Sequence, residues 1–172
     1  MGQYYRIVNI DKKEFMSPAD FGYGLKLLEF ADPMGQSMVT SAMALLMADG
    51  NNRGGGDLRT DHEVVGSWAY DRVAVVGDYA DPYNGVEYYH EAGMDGRYRN
   101  VSRDIFTAML DDTYIRNEVK KWIINLMQNK RTYWIPPVVI EMARDEDPIL
   151  LDMFFGSMVK EIASVKYWKD RS

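Results

Sequence analysis

The residues best suited by type and spacing to do chemistry lie between Asp49 and Asp61. The segment reads Asp49-Gly50-Asn51-Asn52-Arg53-Gly54-Gly55-Gly56-Asp57-Leu58-Arg59-Thr60-Asp61. Three consecutive glycines let backbone N–H groups approach an anion closely, and short side-chain oxygens suit a hard cation. Aligned with a calcium loop, Asp49, Asn51, Gly54 and Asp57 fall at positions one, three, six and nine. Position five is Arg53, which repels a cation, and position twelve is Thr60, where a bidentate glutamate belongs. Calcium is therefore disfavoured. No Lys followed by Ser or Thr succeeds the glycines, so the segment is not a P-loop, and it lacks the spacing of a dinucleotide fingerprint.

A second set of groups follows: Trp68, Arg72, Asp78 and Asp81. Asp78 and Asp81 flank the end of a predicted interior strand, Arg72 to Val76. If the glycine loop folds against that end, Asp49, Asp57, Asp78 and Asp81 converge. Such a cluster would suit Mg²⁺ or a general acid and base with separated pKa values, acting on a nucleotide or another phosphorylated compound. The plainer reading is a surface loop whose glycines relieve backbone strain, followed by aspartates that end a strand. His62, between Asp61 and Glu63, has no identifiable proton to move and reads as a loop residue.

Composition removes several chemistries. The 172 residues include no Cys and two His, which excludes disulfides, thiolate catalysis, cysteine-ligated zinc and histidine-rich metal sites. Net charge is −6, and residues 1–99 hold all of it, with 9 Lys and Arg against 15 Asp and Glu. An acidic half repels nucleic-acid phosphates and favours cations or basic partners. Arg97, Arg99 and Arg103 around Tyr98 are too few to change that expectation. No apolar run reaches the roughly 18–20 residues of a membrane span, and the opening has no signal-peptide pattern. Cytoplasm is the expected location.

The elements that must position these groups read as an α+β fold, a single globular domain over residues 1–172. A small sheet from the N-terminal half carries packed helices, and the C-terminal half is mainly α. Tyr4–Ile10 is a predicted strand ended by Asp11-Lys12-Lys13. Ser17-Pro18 has the form of a helix start, Leu25–Phe30 is helix or strand, and Ser37–Ala48 is a buried helix. Val64–Val65 and Trp68–Tyr79 have β character, and Asp81-Pro82-Tyr83-Asn84-Gly85 is a turn. Val86–Asn100 shows no clear period. Ser102 and Thr113 are placed to cap two amphipathic helices. Tyr133–Ile140 is expected to be extended around its prolines, with Val138–Ile140 as an edge strand. Asp147-Pro148 starts a last helix, Ile149–Tyr167, interrupted at Gly156. Trp122, Trp134 and Trp168 are expected in the core.

Met1-Gly-Gln-Tyr-Tyr-Arg-Ile-Val-Asn9, Gly24-Leu-Lys-Leu-Leu-Glu-Phe30, Ala48-Asp-Gly-Asn-Asn-Arg-Gly-Gly-Gly-Asp-Leu58 and Gly66-Ser-Trp-Ala-Tyr-Asp-Arg72 through Gly77-Asp-Tyr-Ala-Asp81 together resemble a family of small uncharacterised proteins from phages and bacteria. The resemblance covers about half of the chain and implies no activity or catalytic residues. It implies an accessory protein that binds host proteins or small signalling molecules. With abundant Tyr and Trp and no recognisable catalytic set, the first expectation is a binding protein engaging a host protein partner. A phospho-ligand domain or small metal-dependent enzyme using the glycine loop is the alternative.

Overall fold

A computed structural model describes residues 2–32, 34, 37–93 and 96–167. The fold is α+β, with a four-stranded mixed sheet and a helical C-terminal half. The predicted first strand is β1 (Tyr5–Asn9). Its aromatic and β-branched residues suit a pleated, buried surface. The Asp11–Lys13 turn, with Lys13 in the left-handed region at φ 54°, folds the chain into β2 (Glu14–Met16). β1 and β2 pair antiparallel with Ile7 opposite Met16 and Val8 opposite Phe15. β3 (Val73–Gly77) runs antiparallel on the other side of β1, with Val75 opposite Ile7. β4 (Arg99–Asn100) adds to β2 in parallel, which makes the order β3-β1-β2-β4.

The period-two alternation gives the sheet two different faces. Tyr5, Ile7, Met16 and Val73 join the main core with the helices. Val8, Phe15 and Val76 turn to the other side and are covered by Ala92, Tyr88 and Tyr98.

Eight α-helices surround this sheet in the described residues. α1 (Leu27–Ala31) and α2 (Met38–Met47) precede β3, and α3 (Tyr88–Gly93) follows it. α4 (Ser102–Met109), α5 (Thr113–Gln128), α6 (Pro137–Arg144), α7 (Pro148–Met153) and α8 (Gly156–Ala163) complete the chain. One core runs through them, from Phe21, set edge-to-face on Phe106 at 6.2 Å, to Ile140 and Ile162. Of the expected core tryptophans, Trp122 packs partly against this core. Trp134 is half exposed on a 3₁₀ turn, and Trp168 lies outside the described residues.

Seven readings of the sequence are corrected. Trp68–Asp71 forms turns rather than strand, because Gly66 takes φ +76° and its N–H and that of Trp68 close on the carbonyls of Leu45 and Leu46 at the end of α2. A Cβ on Gly66 would stand 2.7 Å from the Ala48 carbonyl oxygen, so only glycine fits there. Second, β3 is an edge strand, not an interior one. Third, Val138–Ile140 is helical: Pro137 occupies the first turn of α6, where its missing N–H is harmless, and an all-apolar run suits a helix buried on nearly every side. Fourth, Asp112, not Thr113, caps α5, accepting from the N–H groups of Tyr114 and Ile115. Fifth, Ser102 lies inside α4, its N–H donating to Asn100 Oδ1, while its own hydroxyl oxygen accepts from the Ser17 N–H. Ser17-Pro18 opens only a 3₁₀ turn, and the break in the last helix falls at Phe154 and Phe155, with Gly156 starting α8.

The ends of the β1–β3 ladder fix its parity. Ile10 N–H donates to the Arg72 carbonyl and Asp78 N–H to the Tyr4 carbonyl, while Tyr5 N–H turns away to Leu25. Residues 74 and 76 therefore exchange bonds with β1, and the N–H and C=O groups of Val73 and Val75 point outward. Val75→Pro should leave the thermal midpoint close to that of the parent. Val76→Pro should lower it, costing about 2 kcal/mol for the stranded Arg6 carbonyl; equal midpoints for the two variants would overturn this parity.

Candidate functional site

The glycine-rich loop is held by its own side chains. Asp57 Oδ2 accepts from the N–H groups of Arg53 and Gly54, both at 2.8 Å. Asn51 bridges the loop's base, its Nδ2 donating to the Leu58 carbonyl at 2.8 Å and its Oδ1 accepting from Leu58 N–H at 3.1 Å. Asn52 and Gly56 take φ +70° and +94°, conformations these two residue types tolerate. Leu58 is the buried anchor, and Gly54, Gly55 and Gly56 are exposed. Asp49 Oδ2 accepts from the Tyr70 hydroxyl at 2.7 Å, and this bond raises the phenol's pKa above its ordinary value, with the carboxylate charge adding to it. His62 Nδ1 accepts from Val64 N–H at 3.3 Å. Asp49, Asn51, Asn52, Arg53 and His62 border a shallow polar cleft of about 320 Å³.

The predicted companions lie elsewhere. Trp68 is buried, and its indole N–H donates to Glu14 Oε2 at 2.7 Å. Arg72 grips Asp11 Oδ1 through Nε at 2.8 Å and Nη2 at 2.6 Å, and its backbone N–H takes Oδ2. That hydrogen-bonded pair lowers the Asp11 pKa and raises that of Arg72. Asp78 Oδ1 accepts from Tyr4 N–H and so extends the β1–β3 ladder by one residue. Asp49 is tied to Tyr70 before β3 begins, whereas Asp78 and Asp81 follow its end; five strand residues span about 16 Å. The four aspartates do not converge. Among the described residues, no group of three or more Asp, Glu or His is arranged to hold a metal ion.

What the fold builds instead is a cleft of about 250 Å³ along β3. Tyr5, Val75, Gly77, Tyr83, Tyr88 and Tyr89 line it, together with the exposed carboxylates Asp81 and Glu87. A tight turn at Asn84-Gly85, both at positive φ, closes the Tyr83–Val86 bridge and stands Tyr83 out into solvent. Arg6 fixes α3 against the sheet, its guanidinium 4.1 Å from the Tyr89 ring centroid and its Nη1 donating to the Tyr89 carbonyl at 2.6 Å. Burial raises the Tyr89 phenol's pKa, with Arg6 opposing it. Neither Val73 nor Val75 has a backbone partner on its outward side among the described residues.

Sequence reasoning reached Asp78 and Asp81 but passed over the tyrosines. Their signal was density, since Tyr79, Tyr83, Tyr88 and Tyr89 follow one another closely, the last two in a stretch without a clear period. No family model, curated protein or solved structure matches the chain.

Asp57→Ala should speed amide hydrogen exchange at Arg53 and Gly54 while leaving the thermal midpoint almost unchanged, since these bonds serve only the loop. Exchange unaltered at both amides would show that other groups hold the turn. In a spectrophotometric titration, Asp49→Asn should bring one tyrosine down toward its ordinary pKa. Because the folded pKa is raised, the bond's stabilisation is present below the unfolded tyrosine pKa and is lost as pH rises through the folded value.

Proposed function

We propose that the protein is an accessory binding protein that engages a host protein partner in the cytoplasm, as the resemblance to phage and bacterial proteins implies. One observation carries this reading: the outward backbone groups of Val73 and Val75 on β3 have no partner among the described residues and lie beside a tyrosine-lined cleft. An exposed edge of this kind is a template for another chain, and extended segments dock on such edges through main-chain hydrogen bonds. Tyrosine rings supply large contact area at low entropic cost and keep a polar tip for the rim. Val75, Tyr79 and Tyr83 are exposed large apolar groups on or next to this edge.

The glycine loop supports a nucleotide or Mg²⁺ reading less well. Asp57 and Asn51 are committed to backbone groups of the loop itself, and Asp49 to Tyr70.

A photo-crosslinking residue at Tyr83, introduced into the protein in a bacterial host, should capture a discrete partner that the same probe at exposed Tyr133 does not. Val75→Pro in the Tyr83-labelled protein should abolish that adduct. Identical adducts at both positions, or none at Tyr83, would overturn the proposal.

A further inference from the structure

We infer that the segment docking on β3 is an extended basic peptide, whose Lys or Arg side chains enter the cleft between Asp81 and Glu87. The inference rests on the partner-binding reading above and adds the chemistry of the partner. Asp81 and Glu87 are both exposed and line the cleft, and neither side chain has a hydrogen bond or ion pair among the described residues. The neighbouring charges are already engaged. Arg6 lies over Tyr89, Arg72 is held by Asp11, Glu91 pairs with Arg97, and Asp78 accepts from Tyr4 N–H. The cleft thus has two uncompensated carboxylates among tyrosine side chains, and the rings of Tyr83 and Tyr88 attract a cation through their quadrupoles.

The geometry of an added strand fits this charge pattern. Side chains of an extended peptide alternate, so one set faces the cleft while the backbone bonds to Val73 and Val75. Complementary potential then sets the register and speeds encounter with a basic segment, helped by the −6 charge of the whole chain. A second copy of the protein fits less well. Pairing β3 with β3 would bring another acidic cleft, and the cation nearest the strand, Arg72, is occupied.

The test is fluorescence anisotropy with a labelled peptide of alternating Val and Lys, compared with an alternating Val and Gln peptide and with the Val and Lys peptide N-methylated along one edge. The Val and Lys peptide should bind saturably, and both N-methylation and Val75→Pro should abolish binding. The double variant Asp81→Asn, Glu87→Gln should weaken it about tenfold and flatten its salt dependence. If the neutral peptide binds as tightly, or the double variant binds unchanged while Val75→Pro still abolishes binding, the basic-peptide inference fails and the edge-docking reading survives. Binding insensitive to Val75→Pro and N-methylation, or no binding by either peptide, overturns both. Sedimentation showing a dimer that Val75→Pro dissociates would assign the edge to a second copy and overturn the inference.

Discussion

The fold depends on the carboxylate of Glu14. One oxygen accepts the indole N–H of buried Trp68 at 2.7 Å, and the other accepts Nη2 of Arg99 at 2.7 Å. Arg99 continues to Asp104 at the start of α4. A single side chain on a three-residue strand thereby joins the segment after α2, the second strand, the fourth strand and the helical half. Glu14 is largely shielded from water, so its hydrogen bonds are strong and a missing partner would be expensive. The same network explains why Trp68 is not a ligand wall. Its ring fills the core and its N–H is already taken.

Much of the fold was legible because its signals were local. Aromatic and β-branched composition marked Tyr5–Asn9, the length of an apolar run marked Met38–Met47, periodicity marked α4 and α5, and Asp147-Pro148 marked a helix start that Asp147 caps as expected. What was not legible depended on distant partners. Glu14–Met16 and Arg99–Asn100 are too short to announce themselves and exist as strands because β1 and Glu14 pair with them. Val138–Ile140 carries β-branched residues, but burial on all sides removes the period that separates a helix from a strand.

The candidate site was half legible for a related reason. Asp78 and Asp81 were recognised as strand-end residues, yet their meaning depended on where Asp49 and Asp57 would fold. Side chains of the glycine segment bond to its own backbone and, through Asp49, to Tyr70, so it stays at the other end of β3. The unpaired edge could not be read at all, because the outward direction of Val75 is fixed only by the pairing of Ile7 with both neighbours.

The central pairing of the sheet joins Ile7 to Val75, segments roughly seventy residues apart, with α1, α2 and the glycine loop between them. Closing so long a loop early is entropically unfavourable, so β3 should dock late, after the α2 helix and Trp68 have made a surface to receive it. Until then the β1–β2 hairpin has an open side of its own. In that order of events the vacant edge would pass from β1 to β3, where Tyr83 and Asp81 line the neighbouring cleft.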